Sequence, residues 1–239
     1  MRFWADVCAY VRKKAYFCTN LFFVRHSKFV LAVYIAISGN MGSGKTTLTR
    51  MLAKHYGWTP RFETVEQNPY LDDFYKDMAR WDFNVEVFFL KERFKDLLAI
   101  NHSTETIVQD RSIYEGVYVF TANSYAMGYL DDRDFECFME LFESMLMVAH
   151  NPDLMIYLRC GVGHLVKNIQ KRGRDYEQNT PIEYLTGLNE RYEDFVMNRY
   201  KGKKLIVDVE RLDYEHRPED FKEIIDAIDA ELFGLFAQK

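Results

Sequence analysis

Gly39 and Gly44 stand five apart, with Asn40, Met41, Gly42 and Ser43 between them and Lys45, Thr46 and Thr47 directly after. This spacing suits the cradling of phosphate. Glycines let the backbone turn so that successive N–H groups face phosphate oxygens, and a following helix adds its positive N-terminal end. Lys45 would reach the β- and γ-phosphates of a nucleotide, and the Thr46 hydroxyl would ligate magnesium.

Four further groups of charged residues could act on a phosphate held there. Glu66 precedes the turn signal Gln67-Asn68-Pro69 and is a candidate general base. Asp110 and Arg111 follow an apolar run, where an acid could hold magnesium and an arginine could neutralise a transferring phosphoryl group. Glu86 and Arg93 are seven apart in a helical pattern and share its face. Arg172 and Arg174 flank Gly173, which suits a lid that closes cations over a nucleotide. Each has a plainer reading: a solvated glutamate, an internal ion pair, a solvated charge run.

The elements that must position these residues are legible. Ala32 to Ile37 reads as a buried strand ahead of the glycine loop, and Thr46 to Lys54 as the helix after it. Further strands are expected at 61–66, 105–110, 152–158 and 203–209, with helices at 82–100, 113–126, 162–171, 181–200 and 218–236 and one opening at Asp131. Strands alternating with helices specify an α/β fold, a central parallel five-stranded sheet covered by helices on both faces. The strand ends that carry Glu66 and Asp110 are where such sheets bind ligands.

Composition bounds the rest. The chain has 239 residues, 48% hydrophobic, enough for one α/β domain with a sizeable core. Its net charge of −5 argues against a nucleic-acid surface. Cys8, Cys18, Cys137 and Cys160 are far apart, which fits reduced thiols in a cytoplasmic protein and offers no zinc site. Residues 1–32 differ: six basic residues against Asp6 give a net +5, leaving −10 for residues 33–239. This basic, aromatic arm has no apolar run long enough for a membrane span. It is expected to pack poorly, or to lie ahead of a native translation start near Val33.

Taken in order, the glycine loop, Glu66, Asp110-Arg111-Ser112 and Arg172-Gly173-Arg174 resemble the deoxynucleoside kinases of the deoxycytidine/deoxyguanosine kinase type, especially the bacterial deoxyadenosine/deoxyguanosine kinases. The resemblance runs from Val33 to Phe236. It implies the P-loop kinase fold with a helical lid. It implies transfer of the ATP γ-phosphate, with magnesium, to the 5′-hydroxyl of a deoxynucleoside in nucleotide salvage, and a homodimer. By motif, Glu66 matches the base, Asp110 the magnesium-associated acid with Thr46, and Arg111 the arginine that organises base and phosphates. Tyr75 and Glu177 match the pair on the sugar 3′-hydroxyl, and Arg172 and Arg174 the lid arginines.

The chain departs from the family pattern twice. It has Glu86 where relatives commonly have a glutamine that reads the base, and Gly116 where they often have an aspartate. An amide donates and accepts, whereas a carboxylate only accepts. An ionised Glu86 stabilised by Arg93 would favour guanine, and a protonated one would suit adenine. The lost aspartate makes room for a purine. The competing readings are a thymidylate-kinase-like nucleoside monophosphate kinase, a GTPase switch, which lacks its Asn-Lys-x-Asp motif here, and a non-catalytic kinase-like subunit.

Overall fold

The computed structural model describes residues 32–234, apart from residues 64, 178 and 179. The expectations for the N-terminal arm and for a last helix reaching residue 236 lie in part outside these residues.

Five strands form one sheet: β1 (Tyr34–Ser38), β2 (Thr59–Arg61), β3 (Ile107–Asp110), β4 (Leu154–Arg159) and β5 (Lys204–Asp208). Their order is β2-β3-β1-β4-β5, and every pairing is parallel. Parallel strands need covered crossovers, and helices supply them. These are α1 (Lys45–Tyr56), α2 (Leu71–Lys76), α3 (Met78–Asn101), α4 (Ile113–Glu115), α5 (Ala122–Ala126), α6 (Asp132–Leu146), α7 (Val162–Arg172), α8 (Ile182–Asp194) and α9 (Pro218–Phe233).

The alternation of side chains on β4 shows that both faces are covered. Leu154, Ile156 and Leu158 pack with Leu48 and Leu52 of α1, Leu165 of α7 and Ile224 and Ile228 of α9. Met155 and Tyr157, which point the other way, pack with Tyr184, Leu188 and Tyr192 of α8. The expected five-stranded α/β architecture is therefore present, with two local differences.

First, β2 ends at Arg61, and Val65–Gln67 forms a 3₁₀ turn where a longer strand is expected. Pro60 lies inside β2 and pairs with Val108. β2 is the edge strand, so the missing proline N–H costs no interior ladder bond. Second, the helical stretch from Ile113 to Ala126 is broken by a π-helical segment, Gly116–Thr121. A second π segment, Phe195–Arg199, follows α8. Periodicity near 3.6 does not distinguish such single-turn widening from α-helix.

In register, Ile37 at the end of β1 lies beside Asp110 at the end of β3. The glycine loop and the Asp110-Arg111 pair therefore leave the sheet side by side. Among the described residues no helix is long and apolar enough to cross a membrane.

Candidate functional site

The glycine loop runs from the end of β1 into α1. Gly39, Gly42 and Gly44 all have positive φ, at 151°, 79° and 95°. Gly44 also has no space for a side chain, because a Cβ there would collide with the Tyr214 hydroxyl. That hydroxyl donates to the Gly44 carbonyl at 3.1 Å. Asn168 of α7 donates to the Gly42 carbonyl at 2.8 Å. Asn40 is buried and donates to the Leu185 carbonyl of α8 at 3.2 Å, while its own Oδ1 accepts from the Met41 N–H at 2.7 Å. The Asn40 side chain thus anchors the loop to α8.

Lys45 Nζ curls back to donate to the Asn40 carbonyl at 2.9 Å. Burial, with the nearby Arg111 charge, pushes its amine down to about 8. Thr46 donates to Asp110 Oδ2 at 2.5 Å, and the buried Asp110 Oδ1 has no hydrogen-bond partner. Thr47 is half-buried on the first turn of α1. A hydroxyl and a carboxylate with one oxygen unengaged suit a hydrated magnesium ion that takes its other ligands from phosphate and water. No group of three or more His, Cys, Asp or Glu that could cage a metal occurs among the described residues.

Facing the loop across the same cavity is a charged cluster. Arg93 donates to Glu63 at 2.5 Å and to the Arg111 carbonyl at 2.8 Å. Arg111 lies 3.5 Å from Glu63 and stacks over the Phe120 ring at 4.3 Å. Arg111 is the one non-glycine residue with positive φ among those described, at 67°, and its N–H is held by the Ile37 carbonyl at 2.9 Å. Burial opposes the charge on Glu63, but Arg111 and Arg93 outweigh it and hold the carboxyl below its usual range.

Glu63 lines this cavity beside the two arginines, the place that spacing assigns to Glu66. Glu66 falls in the 3₁₀ turn beyond β2, and its side chain lies outside the described residues. Because β2 stops at Arg61, the first acid after the strand is the one beside the arginines.

Arg93 also differs from expectation. It serves Glu63, and Glu86 has other neighbours: Thr121 Oγ1 at 3.1 Å and Asp82, one helical turn away on α3. Burial and the Asp82 charge raise Glu86 well above the carboxylate range. Asp82 itself is raised by burial. Sequence reasoning missed Asp82, although its i, i+4 spacing to Glu86 was available.

Tyr75 and Glu177 both line the cavity, as do Met41, Arg172 and Arg174. Glu177 is buried and accepts from Arg172 Nε at 3.0 Å and Arg174 at 3.3 Å. Tyr75 stacks near Tyr176, at 5.5 Å between ring centroids. Gly116, at the start of the π segment, lines the cavity near Phe120 and Tyr184. The structure thus brings the glycine loop, both arginine clusters and the Tyr75/Glu177 and Glu86 positions to one cavity.

A parallel five-stranded P-loop sheet with this cavity is the architecture of a phosphotransferase. The family model described as deoxynucleoside kinase matches residues 35–233, and the chain belongs to that family. It is 35% identical over 196 residues to the deoxyadenosine/deoxycytidine kinase of Bacillus subtilis, covering 81% of this chain and 90% of that one. It is 32% identical over 207 residues to a deoxyguanosine kinase of Lactobacillus johnsonii, covering 83% and 92%. A solved structure of a deoxyadenosine kinase from M. mycoides with bound dATP superposes with a TM-score of 0.73 at 29% identity, covering 82% of this chain and 99% of that one. The protein is a nucleoside kinase.

Proposed function

We propose that the protein transfers the γ-phosphate of ATP to the 5′-hydroxyl of a purine deoxynucleoside, deoxyadenosine or deoxyguanosine. The observation that carries this reading is the single cavity in which Lys45 and Asp110 of the phosphate side face Glu63 and Arg111 of the acceptor side. Phosphoryl transfer asks a protein for alignment and charge neutralisation, and these residues supply both.

The loop from Gly39 to Gly44 with Lys45 binds the β- and γ-phosphates. Thr46 and Asp110 would hold magnesium, which when bound would supply neutralisation of charge on the phosphates. Glu63 takes the proton of the 5′-hydroxyl; Arg111 holds that carboxylate and faces the transferring group. Tyr75 and Glu177 grip the 3′-hydroxyl, and Arg172 and Arg174 close from the lid. Glu86 meets the base, and the absence of a side chain at Gly116 leaves room for a purine ring. Relatives named as deoxyadenosine and deoxyguanosine kinases, among them two of Lactobacillus acidophilus, support the purine reading. We infer a homodimer from the same kinship.

The test is phosphorylation of deoxyadenosine, deoxyguanosine, deoxycytidine and thymidine with MgATP. A purine deoxynucleoside is expected to give the highest kcat/KM. Preference for a pyrimidine, or for a nucleoside monophosphate as acceptor, overturns the reading.

A further inference from the structure

Asp82 and Glu86 are buried at 0% and 5% exposure, one turn apart on α3, and Glu86 lines the cavity at the position assigned to the base. Two carboxylates so placed need a cation or a proton. The nearby cations, Arg93 and Arg111, pair with Glu63, and their charges favour an ionised Glu86 less than burial and Asp82 disfavour it. The other ionisable neighbour is Tyr184 of α8, which is also buried and offers no positive charge.

The hydrogen-bond geometry has the same requirement. Thr121 Oγ1 lies 3.1 Å from Glu86 Oε2 and 3.0 Å from the Gly116 carbonyl. A hydroxyl has one proton, so it donates to one of the two acceptors and not both. A proton on Glu86 completes the chain: Glu86 donates to Thr121, and Thr121 donates to Gly116. Asp82 Oδ1 accepts from Ser124 at 2.6 Å, which favours its ionised form, while its buried Oδ2 has no partner.

We propose that Asp82 and Glu86 titrate as a coupled pair in which the charge on Asp82 keeps Glu86 neutral, and that Asp82 is thereby a positioning residue for base choice. This deepens the purine-kinase reading and rests on it. A neutral carboxyl offers an O–H donor and a C=O acceptor, which match N1 and the 6-amino group of adenine. It also fits guanine, by accepting from N1–H and donating to O6. An ionised Glu86 offers acceptors alone. It would then face the adenine N1 lone pair without a proton, yet would accept both N1–H and the 2-amino group of guanine. Protonation therefore admits adenine, and ionisation selects guanine.

Two measurements test this across a pH series on the full chain, as wild type, Glu86→Gln and Asp82→Asn. One is the infrared C=O band of a protonated carboxyl. The other is the ratio of kcat/KM for deoxyadenosine to that for deoxyguanosine. We expect a wild-type band at neutral pH that is lost in Glu86→Gln. In Asp82→Asn the repelling charge is gone, so the band should vanish at least about one pH unit lower. The nucleoside ratio should fall about tenfold or more over that same lower range. Glu86→Gln should show a ratio independent of pH. Absence of the neutral-pH band, an unchanged titration in Asp82→Asn, or a ratio that does not follow the band would overturn the proposal. The infrared arm needs no turnover, so failure of the kinase reading and failure of the coupled pair are read separately.

Discussion

Arg93 grips Glu63 with one guanidinium nitrogen at 2.5 Å and the backbone carbonyl of Arg111 with another at 2.8 Å. One side chain from α3 therefore sets both the carboxylate after β2 and the arginine after β3. The second bond matters because Arg111 sits at φ 67°, in the left-handed region, where a side chain costs about 1–2 kcal/mol. The same strain aims its guanidinium into the cavity, and the bonds to its N–H and carbonyl offset it.

Replacing Arg93 by Met should leave the largely buried Glu63 with Arg111, at 3.5 Å, and the charges of Lys45 and Arg174. Breaking a buried pair commonly costs about 3–5 kcal/mol, and the remaining partner places this case near the lower end. We expect a loss of about 3 kcal/mol in denaturant unfolding together with a fall in kcat. A variant as stable as wild type would show that the Arg93 bonds are not structural.

Glu63 and Glu66 are separable by kinetics. Glu63→Gln keeps the shape and removes the base, and should lower kcat by about 10²- to 10⁴-fold. Glu66→Gln should remain close to wild type. The reverse pattern would return the base to Glu66.

Lys45 gives a pH signature on the donor side. Its amine is held at about 8 by burial and Arg111, so the free enzyme loses this charge as the pH rises through that value. Phosphate binds the charged form, and ATP must then recruit a proton at higher pH. The Kd for ATP should be flat below pH 8 and weaken by about tenfold per unit above it until the nucleotide-bound pKa is passed. Calorimetric titrations at several pH values would show it. Equal affinity at pH 7 and 9.5 would contradict it.

Gly116→Asp tests the room left for the purine. A Cβ at Gly116 meets nothing within 4 Å, and φ is −51°, so the variant should fold. The carboxylate would project toward the cavity and compete for Arg93 and Arg111. Purine kcat/KM should drop at least about tenfold while unfolding midpoints hold. Unchanged purine kinetics would remove Gly116 from the account of specificity.

Much of this was readable beforehand, and the limits have physical causes. The glycine loop announces itself because its chemistry depends on contiguous backbone, and the strands because each is a short buried run such as Tyr34–Ser38. Placing Glu63 beside Arg93 and Arg111 required knowing where β2 stops, and strand ends are set by pairing with β3, not by local residue type. The partner of Arg93 was hidden for the same reason, since Glu63 comes from a different element. Asp82 carries no mark in the helical pattern, and only its burial singles it out.

Arg172 and Arg174 both spend their guanidinium groups on Glu177, which is only 4% exposed. Drawing the two arginines toward a triphosphate would strip a buried carboxylate of its counter-charges, unless a sugar hydroxyl is already donating to it. Each substrate then lowers the cost of admitting the other. By linkage the effect is reciprocal, so a nucleoside should tighten ATP by the same factor by which ATP tightens the nucleoside. The lid would in this way disfavour ATP hydrolysis in the absence of an acceptor.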